Sequence, residues 1–278
     1  MAKVLVFDSG VGGLTIFQAI RAKLPWAELI FASDNAAYPY GKKSEQVIIN
    51  RVATVSSELV TEHKPDILVV ACNTASTVVL PSLRQQLNIP VVGVVPAIKP
   101  AARLTRSGHI GILATPATVK RQYTRDLIAQ FANQCQVSLL GSSELVDLAE
   151  CKMHKNQIDT DSLAKVLEPW LEDKHSKMDT IVLACTHFPL LQTELNQLFE
   201  AIGKDIQWVD SALGIANRTE QLLLEVNAMA DREYIGNVSA VMTMKQTLSE
   251  EFLRYIEKLG VEKVEVADIE FSQGLAAQ

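Results

Sequence analysis

The chain has 278 residues, 48% hydrophobic and 21% charged, which is enough to bury the core of one large or two medium domains. The formal net charge of −6, with no basic run, argues against a nucleic-acid-binding surface. The N-terminal apolar run stops at Asp8 after five residues, too short for a signal peptide or a membrane span. We therefore expect a cytoplasmic protein that needs neither nucleic acid nor a membrane, and whose four cysteines need not form disulfides.

The first part of the chain alternates short apolar runs with helical patterns. Ser44 is a good N-cap residue and is predicted to start the longest of these helices. Helices are predicted over Leu14–Lys23, 44–63 and Thr74–Gln86, and strands over Lys3–Phe7, Glu28–Ala32, 66–70 and 91–95. Strands that are apolar on both sides are typical of a parallel sheet covered by helices, which predicts an α/β fold.

After Pro96 and Pro100 the same alternation starts again. Strands are predicted over 109–114, 136–140, 179–184, 206–210 and 261–267, and helices over 115–131, 161–173, 190–201, 211–226 and 250–260. The repeat predicts two similar doubly wound parallel-sheet domains with the active site in the cleft between them. Residues 1–97 plus 211–278 would form the first domain, and residues 98–210 the second.

Two of the four cysteines lie in near-copies of one segment. DILVVACNTAS contains Cys72 and DTIVLACTHFP contains Cys185, each six positions after an aspartate. Ligands of open parallel sheets bind beyond the carboxyl ends of the strands, where both cysteines are predicted. A following helix N-terminus favours thiolate and predicts a lowered cysteine pKa. Cys135, beside a strand start, and Cys151, predicted to follow a helix, are interpreted as ordinary packed cysteines.

Several kinds of reactive-cysteine site fit this pattern poorly. There is no C-x-x-C, so a thioredoxin-type dithiol lacks its motif. A zinc site made of Cys72, Cys185 and His187 lacks a fourth ligand, and a Cys–His hydrolase leaves the second cysteine unexplained. Inversion of a stereocentre, in contrast, needs one proton to leave one face and another to arrive at the opposite face. Two thiols on opposite sides suit that task.

The glycine-rich segment DSGVGGLT does not match a nucleotide-binding motif, since it lacks both G-x-G-x-x-G and a P-loop lysine. Gly10, Gly12 and Gly13 are interpreted as permitting a tight turn and close backbone approach to a small anionic ligand. PYGKKS is a second predicted turn, where Tyr40 and the Gly41 amide could face the cleft.

Five segments in order, FDSGVGGLT, DNAAYPYGKKS, ACNTAS, VPAIKPA and ACTHFPLL, resemble the motif set of the glutamate racemases. These enzymes belong to the cofactor-independent amino-acid racemases that include aspartate racemase. The resemblance continues to VEKVEV near the C-terminus and so covers nearly the whole chain. It implies interconversion of L- and D-glutamate, which supplies D-glutamate for bacterial peptidoglycan and hence for the cell wall and cell shape.

The resemblance also implies residue roles. Cys72 would act on the D-glutamate face with Asp8 as its helper, and Cys185 on the L-glutamate face with His187 as its helper. Glu150 would be a further helper carboxylate. Asp8 and His187 would also contact the substrate, together with Ser9, Tyr40, Gly41, Asn73, Thr74, Thr115, Thr118 and Thr186.

Neither a cofactor nor a metal is expected, because members of this family need neither pyridoxal phosphate nor a metal ion. Many members are homodimers. The segment DLAECKMHKNQ is close to a longer form found in Gram-negative enzymes, some of which a cell-wall precursor activates. Three alternatives stay open: an aspartate racemase, a single-cysteine lyase or hydrolase of similar fold, and a non-catalytic binding or inhibitory role.

Overall fold

The structure is a computed structural model that describes residues 2–172, 175–226, 235–244 and 248–269. Within these residues the strands are β1 (Lys3–Asp8), β2 (Glu28–Ser33), β3 (Ile67–Val70), β4 (Val91–Gly93), β5 (His109–Ala114), β6 (Gln136–Gly141), β7 (Thr180–Ala184), β8 (Gln207–Val209), β9 (Val238–Met242) and β10 (Lys263–Val266). None of the described helices is both long enough and apolar enough to cross a membrane.

The helices cover most of the predicted helical stretches. They are α1 (Leu14–Lys23), α2 (Glu45–His63), α3 (Asn73–Gln86), α4 (Ile98–Leu104), α5 (Pro116–Lys120), α6 (Gln122–Phe131), α7 (Glu144–Lys155), α8 (Thr160–Leu171), α9 (Gln192–Ala201), α10 (Ala212–Glu225) and α11 (Glu250–Lys258). Ser44 caps α2 as predicted, because its hydroxyl accepts a hydrogen bond from the amide of Val47.

The strands form two separate parallel sheets. The six-stranded sheet has the order β10-β9-β2-β1-β3-β4, and the four-stranded sheet has the order β6-β5-β7-β8. Every described strand pair is parallel. In each sheet the strand that carries a cysteine at its end, β3 or β7, is next to the strand that starts that half of the pattern, β1 or β5.

Both faces of each sheet are buried. In β1, Val4 and Val6 belong to one hydrophobic cluster, whereas Leu5 and Phe7 belong to another on the opposite face. The four-stranded sheet likewise separates two further clusters. Successive strand residues point to opposite faces, so an uninterrupted apolar strand needs helices on both sides. The predicted α/β class with two doubly wound parallel sheets is confirmed.

The strand composition of the two sheets parallels the division into residues 1–97 plus 211–278 and residues 98–210. Strand pairing alone does not define a folding unit, so those domain boundaries stay a prediction. The stretches 227–234, 245–247 and 270–278 of the first predicted domain lie outside the described residues.

The structure differs from three predictions of local structure. The single helix predicted over 115–131 is two helices, because Arg121 is extended, with φ −65° and ψ 140°. The Thr118 carbonyl at this break still accepts the Thr124 hydroxyl at 2.7 Å, so it remains satisfied. Cys151 lies inside α7 and does not follow a helix. The helix predicted over 161–173 ends at Leu171, and residue 173 is outside the described residues.

Candidate active site

A cavity lies where the carboxyl ends of strands from the two sheets meet. Cys72 follows β3 as the N-cap of α3, and Cys185 follows β7. Both side chains line the cavity and are nearly buried, with 6% and 5% of their surface exposed. The cavity therefore has one thiol from each sheet.

Most of the predicted site residues line this one cavity. They are Ser9, Tyr40, Gly41, Cys72, Asn73, Thr74, Thr115, Cys185, Thr186 and His187. The other three, Asp8, Thr118 and Glu150, lie behind the lining and contact it through hydrogen bonds. The Thr118 hydroxyl is 3.0 Å from that of Thr115, which is 3.2 Å from that of Thr74. This chain of hydroxyl groups joins α5 to α3 at the cavity wall.

The Cys72 side is built around the buried carboxylate of Asp8. Ser9 donates its amide to Asp8 Oδ1 over 2.6 Å, and its hydroxyl lies 3.3 Å from the same oxygen and 3.8 Å from Cys72 Sγ. Thr186, next to the other cysteine, donates its hydroxyl to Asp8 Oδ2 over 3.0 Å. Asp8 is thus held by groups from both sheets.

Burial dominates the electrostatics of the Cys72 side. It raises the pKa of the Asp8 carboxyl, against the opposing influence of His187 and of the hydrogen bonds that Asp8 accepts. The pKa of the Cys72 thiol is raised well above its usual value, first by burial and then by the nearby Asp8 carboxylate. The predicted lowering of this pKa by the helix N-terminus is therefore wrong. Cys72 is kept as a thiol that has a proton to give.

The Cys185 side has an imidazole in place of the carboxylate. His187 Nδ1 is 3.9 Å from Cys185 Sγ, and His187 Nε2 is 2.7 Å from Glu150 Oε1. Burial alone would lower the pKa of His187, but its hydrogen bonds to Cys185 and Glu150 and their charges raise this pKa well above its usual value. The ring can therefore hold a proton beside the sulfur atom.

Glu150 stays ionised in this setting. Although burial opposes the charge, hydrogen bonds from His154, His187 and the Val11 amide lower the pKa of Glu150 to about 2. A buried carboxylate that accepts several hydrogen bonds is stable in its charged form. Its charge in turn favours the protonated ring of His187.

The glycine-rich loop after β1 gives room to these side chains. A Cβ atom at Gly12 would collide with the ring of His187, and one at Gly10 would collide with the Glu150 carboxylate. At Gly13 the Cβ would lie 2.6 Å from Asp8 Cβ. The backbone of this loop thus approaches protein side chains closely, and its predicted approach to a small anionic ligand stays a prediction.

Residues without a predicted role also line the cavity, including Tyr38, Lys42, Ser143 and Asp147. Tyr38 donates its hydroxyl to Asp147 over 3.2 Å, and Lys42 Nζ is 3.7 Å from the other oxygen of that carboxylate. Tyr38 and Lys42 belong to the motif DNAAYPYGKKS and could have been chosen with Tyr40. Asp147 lies on α7, and only the tertiary fold brings it to this cavity.

Tyr40 has a second role besides lining the cavity. Its hydroxyl donates a 2.7 Å hydrogen bond to Asp34, which also forms a buried ion pair with Arg51. A buried ion pair with hydrogen bonds to its remaining oxygens fixes the orientation of its partners. The ring of Tyr40 is thereby held against the cavity near Cys72.

The Asp/Glu/Hydantoin racemase family model matches residues 14–219 of this chain. Glutamate racemase from Escherichia coli O139:H28 is 49% identical over 262 residues, which are 94% of this chain and 90% of that protein. The chain belongs to this racemase family. Membership agrees with the resemblance seen in the motifs and with a cavity that has two thiols from two similar sheets.

Solved structures from this racemase family have the same architecture. The crystal structure of Escherichia coli glutamate racemase in complex with L-glutamate and the activator UDP-MurNAc-Ala is 47% identical, with a TM-score of 0.89. The match covers 97% of this chain and 99% of that chain. Glutamate racemase isoform RacE1 from Bacillus anthracis is 26% identical, with a TM-score of 0.81 over 96% of this chain and 98% of that chain.

Proposed function

We propose that this protein is a glutamate racemase that interconverts L- and D-glutamate by proton transfer through two cysteines. The observation that carries the proposal is the pair of nearly buried thiols, Cys72 and Cys185, that line one cavity from two different sheets. The substrate is taken from relatives that are 47–49% identical over nearly the whole chain.

In the L to D direction, Cys185 as thiolate removes the α-proton, and Cys72 as thiol delivers its own proton to the opposite face. The reverse direction exchanges these roles. His187, protonated and held by Glu150, stabilises the Cys185 thiolate that starts the L to D direction. Asp8, whose pKa is raised by burial, is suited to share a proton with Cys72 through the hydroxyl of Ser9.

The polar cavity wall would hold the two carboxylates and the amino group of glutamate. The amides at the N-terminus of α3, where Asn73 and Thr74 lie, can bind a carboxylate. The remaining wall groups proposed to hold the substrate are Ser9, Tyr40, Gly41, Thr115 and Thr186, with Thr118 orienting Thr115. These proton transfers need no group beyond the protein's own side chains.

The biological setting follows from the proposed product. D-glutamate would be supplied in the cytoplasm to the enzymes that build peptidoglycan. The Escherichia coli relative was solved with UDP-MurNAc-Ala as its activator, so we include activation by such a cell-wall precursor in the proposal. The same proposal includes a homodimer. It also includes the division of the chain into one domain of residues 1–97 plus 211–278 and a second domain of residues 98–210.

The proposal is tested with purified protein in deuterated water without any added cofactor. L-glutamate should lose its circular dichroism while deuterium enters the α-position, as followed by NMR. L-aspartate is measured in parallel and should keep its signal. Loss of the aspartate signal with a constant glutamate signal would contradict the substrate, and ammonia or a hydrolysis product would indicate a lyase or hydrolase.

A further inference from the structure

The second carboxylate oxygen of Glu150 faces a histidine that the proposed mechanism does not use. His154 lies one helical turn after Glu150 on α7, and its Nε2 is 3.4 Å from Glu150 Oε2. Glu150 Oε1 lies towards the cavity-lining His187, since it accepts hydrogen bonds from His187 Nε2 at 2.7 Å and from the Val11 amide at 3.0 Å. The two histidines thus bind opposite oxygens of one carboxylate.

The other nitrogen of His154 contacts the residue that caps the N-terminus of helix α11. His154 Nδ1 is 3.0 Å from the hydroxyl of Ser249, which also caps α11 by accepting the Phe252 amide at 3.1 Å. The rings of His154 and Phe252 pack with centroids 5.0 Å apart. His154 is therefore fixed at both nitrogens and on its ring face.

The hydrogen atoms in this chain of contacts have one consistent arrangement for a neutral ring. Ser249 accepts the amide of Phe252 and donates its own hydrogen to His154 Nδ1. The ring hydrogen is then on Nε2, where it can be donated to Glu150. The opposite tautomer would place a lone pair against the Glu150 carboxylate, so the carboxylate selects the donor form, and the Ser249 hydroxyl matches it by donating to Nδ1.

We propose that His154 is a positioning residue for the Cys185 side of the reaction, and that it links this side to the N-terminus of α11. The inference rests on the proposed function. A carboxylate bound at only one oxygen can rotate about its terminal bond, whereas one bound at both is fixed in plane. His154 fixes Glu150, Glu150 orients the ring of His187, and His187 places its Nδ1 beside Cys185.

The equilibrium constant of a racemisation is one, so kcat/KM must be equal in both directions for every variant. Primary kinetic isotope effects, in contrast, can differ between the two directions. With α-deuterated L-glutamate, the deuterium is removed by Cys185, and with α-deuterated D-glutamate by Cys72. If the Cys185 step is slowed, the primary isotope effect rises for the L substrate and falls for the D substrate.

The central variants are His154→Asn and His154→Gln. An asparagine amide can reach Ser249 but not Glu150, whereas a glutamine amide nitrogen can occupy the place of Nε2 and donate to Glu150. His154→Asn should lower kcat/KM about tenfold, in line with one lost hydrogen bond to a charged group. It should also shift the two isotope effects in opposite directions, and His154→Gln should restore both quantities towards wild type.

Ser249→Ala tests the link to α11 while the histidine stays in place. It should shift the isotope effects in the same sense as His154→Asn but less. Asp159→Ala is the matched control, because it removes the N-cap of α8, whose carboxylate accepts hydrogen bonds from Asp161 and Ser162. That control should lower thermal stability without changing the isotope effects. If His154→Asn does not fold, Ser249→Ala and His154→Gln carry the test.

Unchanged isotope effects in folded His154→Asn, or equal losses in the Asn and Gln variants, would overturn the positioning role. An effect of Asp159→Ala as large as that of Ser249→Ala would overturn the link to α11. The imidazole NMR signal of His187 provides a readout without substrate, and His154→Asn should shift it. If wild type does not racemise glutamate but this signal shifts, the proposed function fails and the positioning of His187 stands.

Discussion

Thr186 donates its hydroxyl to Asp8 Oδ2 over 3.0 Å, although Asp8 ends β1 of one sheet and Thr186 follows β7 of the other. Thr186 is next to Cys185, whereas Asp8 lies beside Cys72 through Ser9. The Thr186 carbonyl also accepts the Thr15 hydroxyl at 3.1 Å, which adds a second contact between the halves. The surroundings of one thiol are therefore positioned in part by residues beside the other.

The first prediction concerns the cysteines themselves. Cys72→Ser and Cys185→Ser should each lower racemisation by at least about a thousandfold, because a serine hydroxyl is far too weak an acid for either role. Cys135→Ser and Cys151→Ser are the matched controls, since neither residue lines the cavity. Coupled assays of D-glutamate formation measure the rates. Full activity of either active-site variant would contradict the two-thiol mechanism.

The second prediction separates the two sides of the reaction. His187→Asn removes the group that holds a proton 3.9 Å from Cys185 Sγ, and kcat/KM should fall about a hundredfold. The primary isotope effect should rise for α-deuterated L-glutamate and fall for α-deuterated D-glutamate. Competitive isotope measurements in both directions test this. Isotope effects that change equally would assign His187 to both sides or to neither.

The third prediction is that Asp8→Asn makes the protein more stable and less active. The folded-state pKa of Asp8 is raised above 3.8, so the folded state binds more protons than the unfolded state just above that pH. The free energy of unfolding then falls as the pH rises through this window. Asparagine avoids the cost, so Tm at pH 7 should rise while kcat/KM falls about a hundredfold.

The pH dependence provides the control for Asp8→Asn. Below pH 3.8 the wild-type carboxyl is protonated in both states, so the gain in stability should disappear there. Urea unfolding of both proteins at several pH values measures the difference. A gain that is constant with pH would mean that packing, and not the buried charge, is responsible.

The fourth prediction is that Glu150→Gln makes the protein less stable, which is the opposite of the effect expected of Asp8→Asn. The pKa of Glu150 falls from 4.5 to about 2, which corresponds to about 3 kcal/mol of stability. This stability is complete above pH 4.5 and is lost as the pH falls towards 2. Glu150→Gln should therefore lower the free energy of unfolding at pH 7, and the difference from wild type should shrink at pH 3.

Glu150→Gln also removes the charge that supports protonated His187. The pKa of His187 should then fall back towards its usual range, which an NMR titration of the imidazole would detect. Glu194→Gln is a suitable control, because that carboxylate pairs with Lys152 on the same helix α7 and does not contact His187. A His187 titration unchanged by Glu150→Gln would contradict the interaction described here.

Periodicity predicted the elements whose pattern is local. The bounds of α1 are those predicted, and strands β1 and β7 could be recognised as apolar runs because both faces of their sheets are covered.

The break at Arg121 has no local breaker residue in KRQYT. It is stabilised by tertiary contacts, including the ion pair of Arg121 with Glu45 of α2. Such a contact cannot be seen in a helical period. The pattern also did not predict β9, whose Ser239 and Ala240 are weak strand formers.

The candidate site could likewise be predicted only in part. Cys72 and Cys185 could be found because each follows a strand at the carboxyl edge of its own parallel sheet, and the motif resemblance supplied their neighbours. The direction of the Cys72 pKa could not be predicted. The helix N-terminus is visible in the sequence, but the burial and the Asp8 charge that outweigh it arise only when the two halves pack. Asp147 and His154 are likewise brought to the site only by this packing, so their place there could not be predicted.

The near-complete burial of the two thiols has a consequence for successive turnovers. In the proposed mechanism, the form that releases D-glutamate has a protonated Cys185 and an unprotonated Cys72, which is the form that accepts D-glutamate. Before it can accept another L-glutamate, both sulfur atoms must exchange protons with solvent that scarcely reaches them. The free enzyme would therefore stay for a time in the protonation state set by the enantiomer that it last released. At high substrate concentration, the return of the two sulfur atoms to the other protonation state would compete with the chemistry in setting the rate.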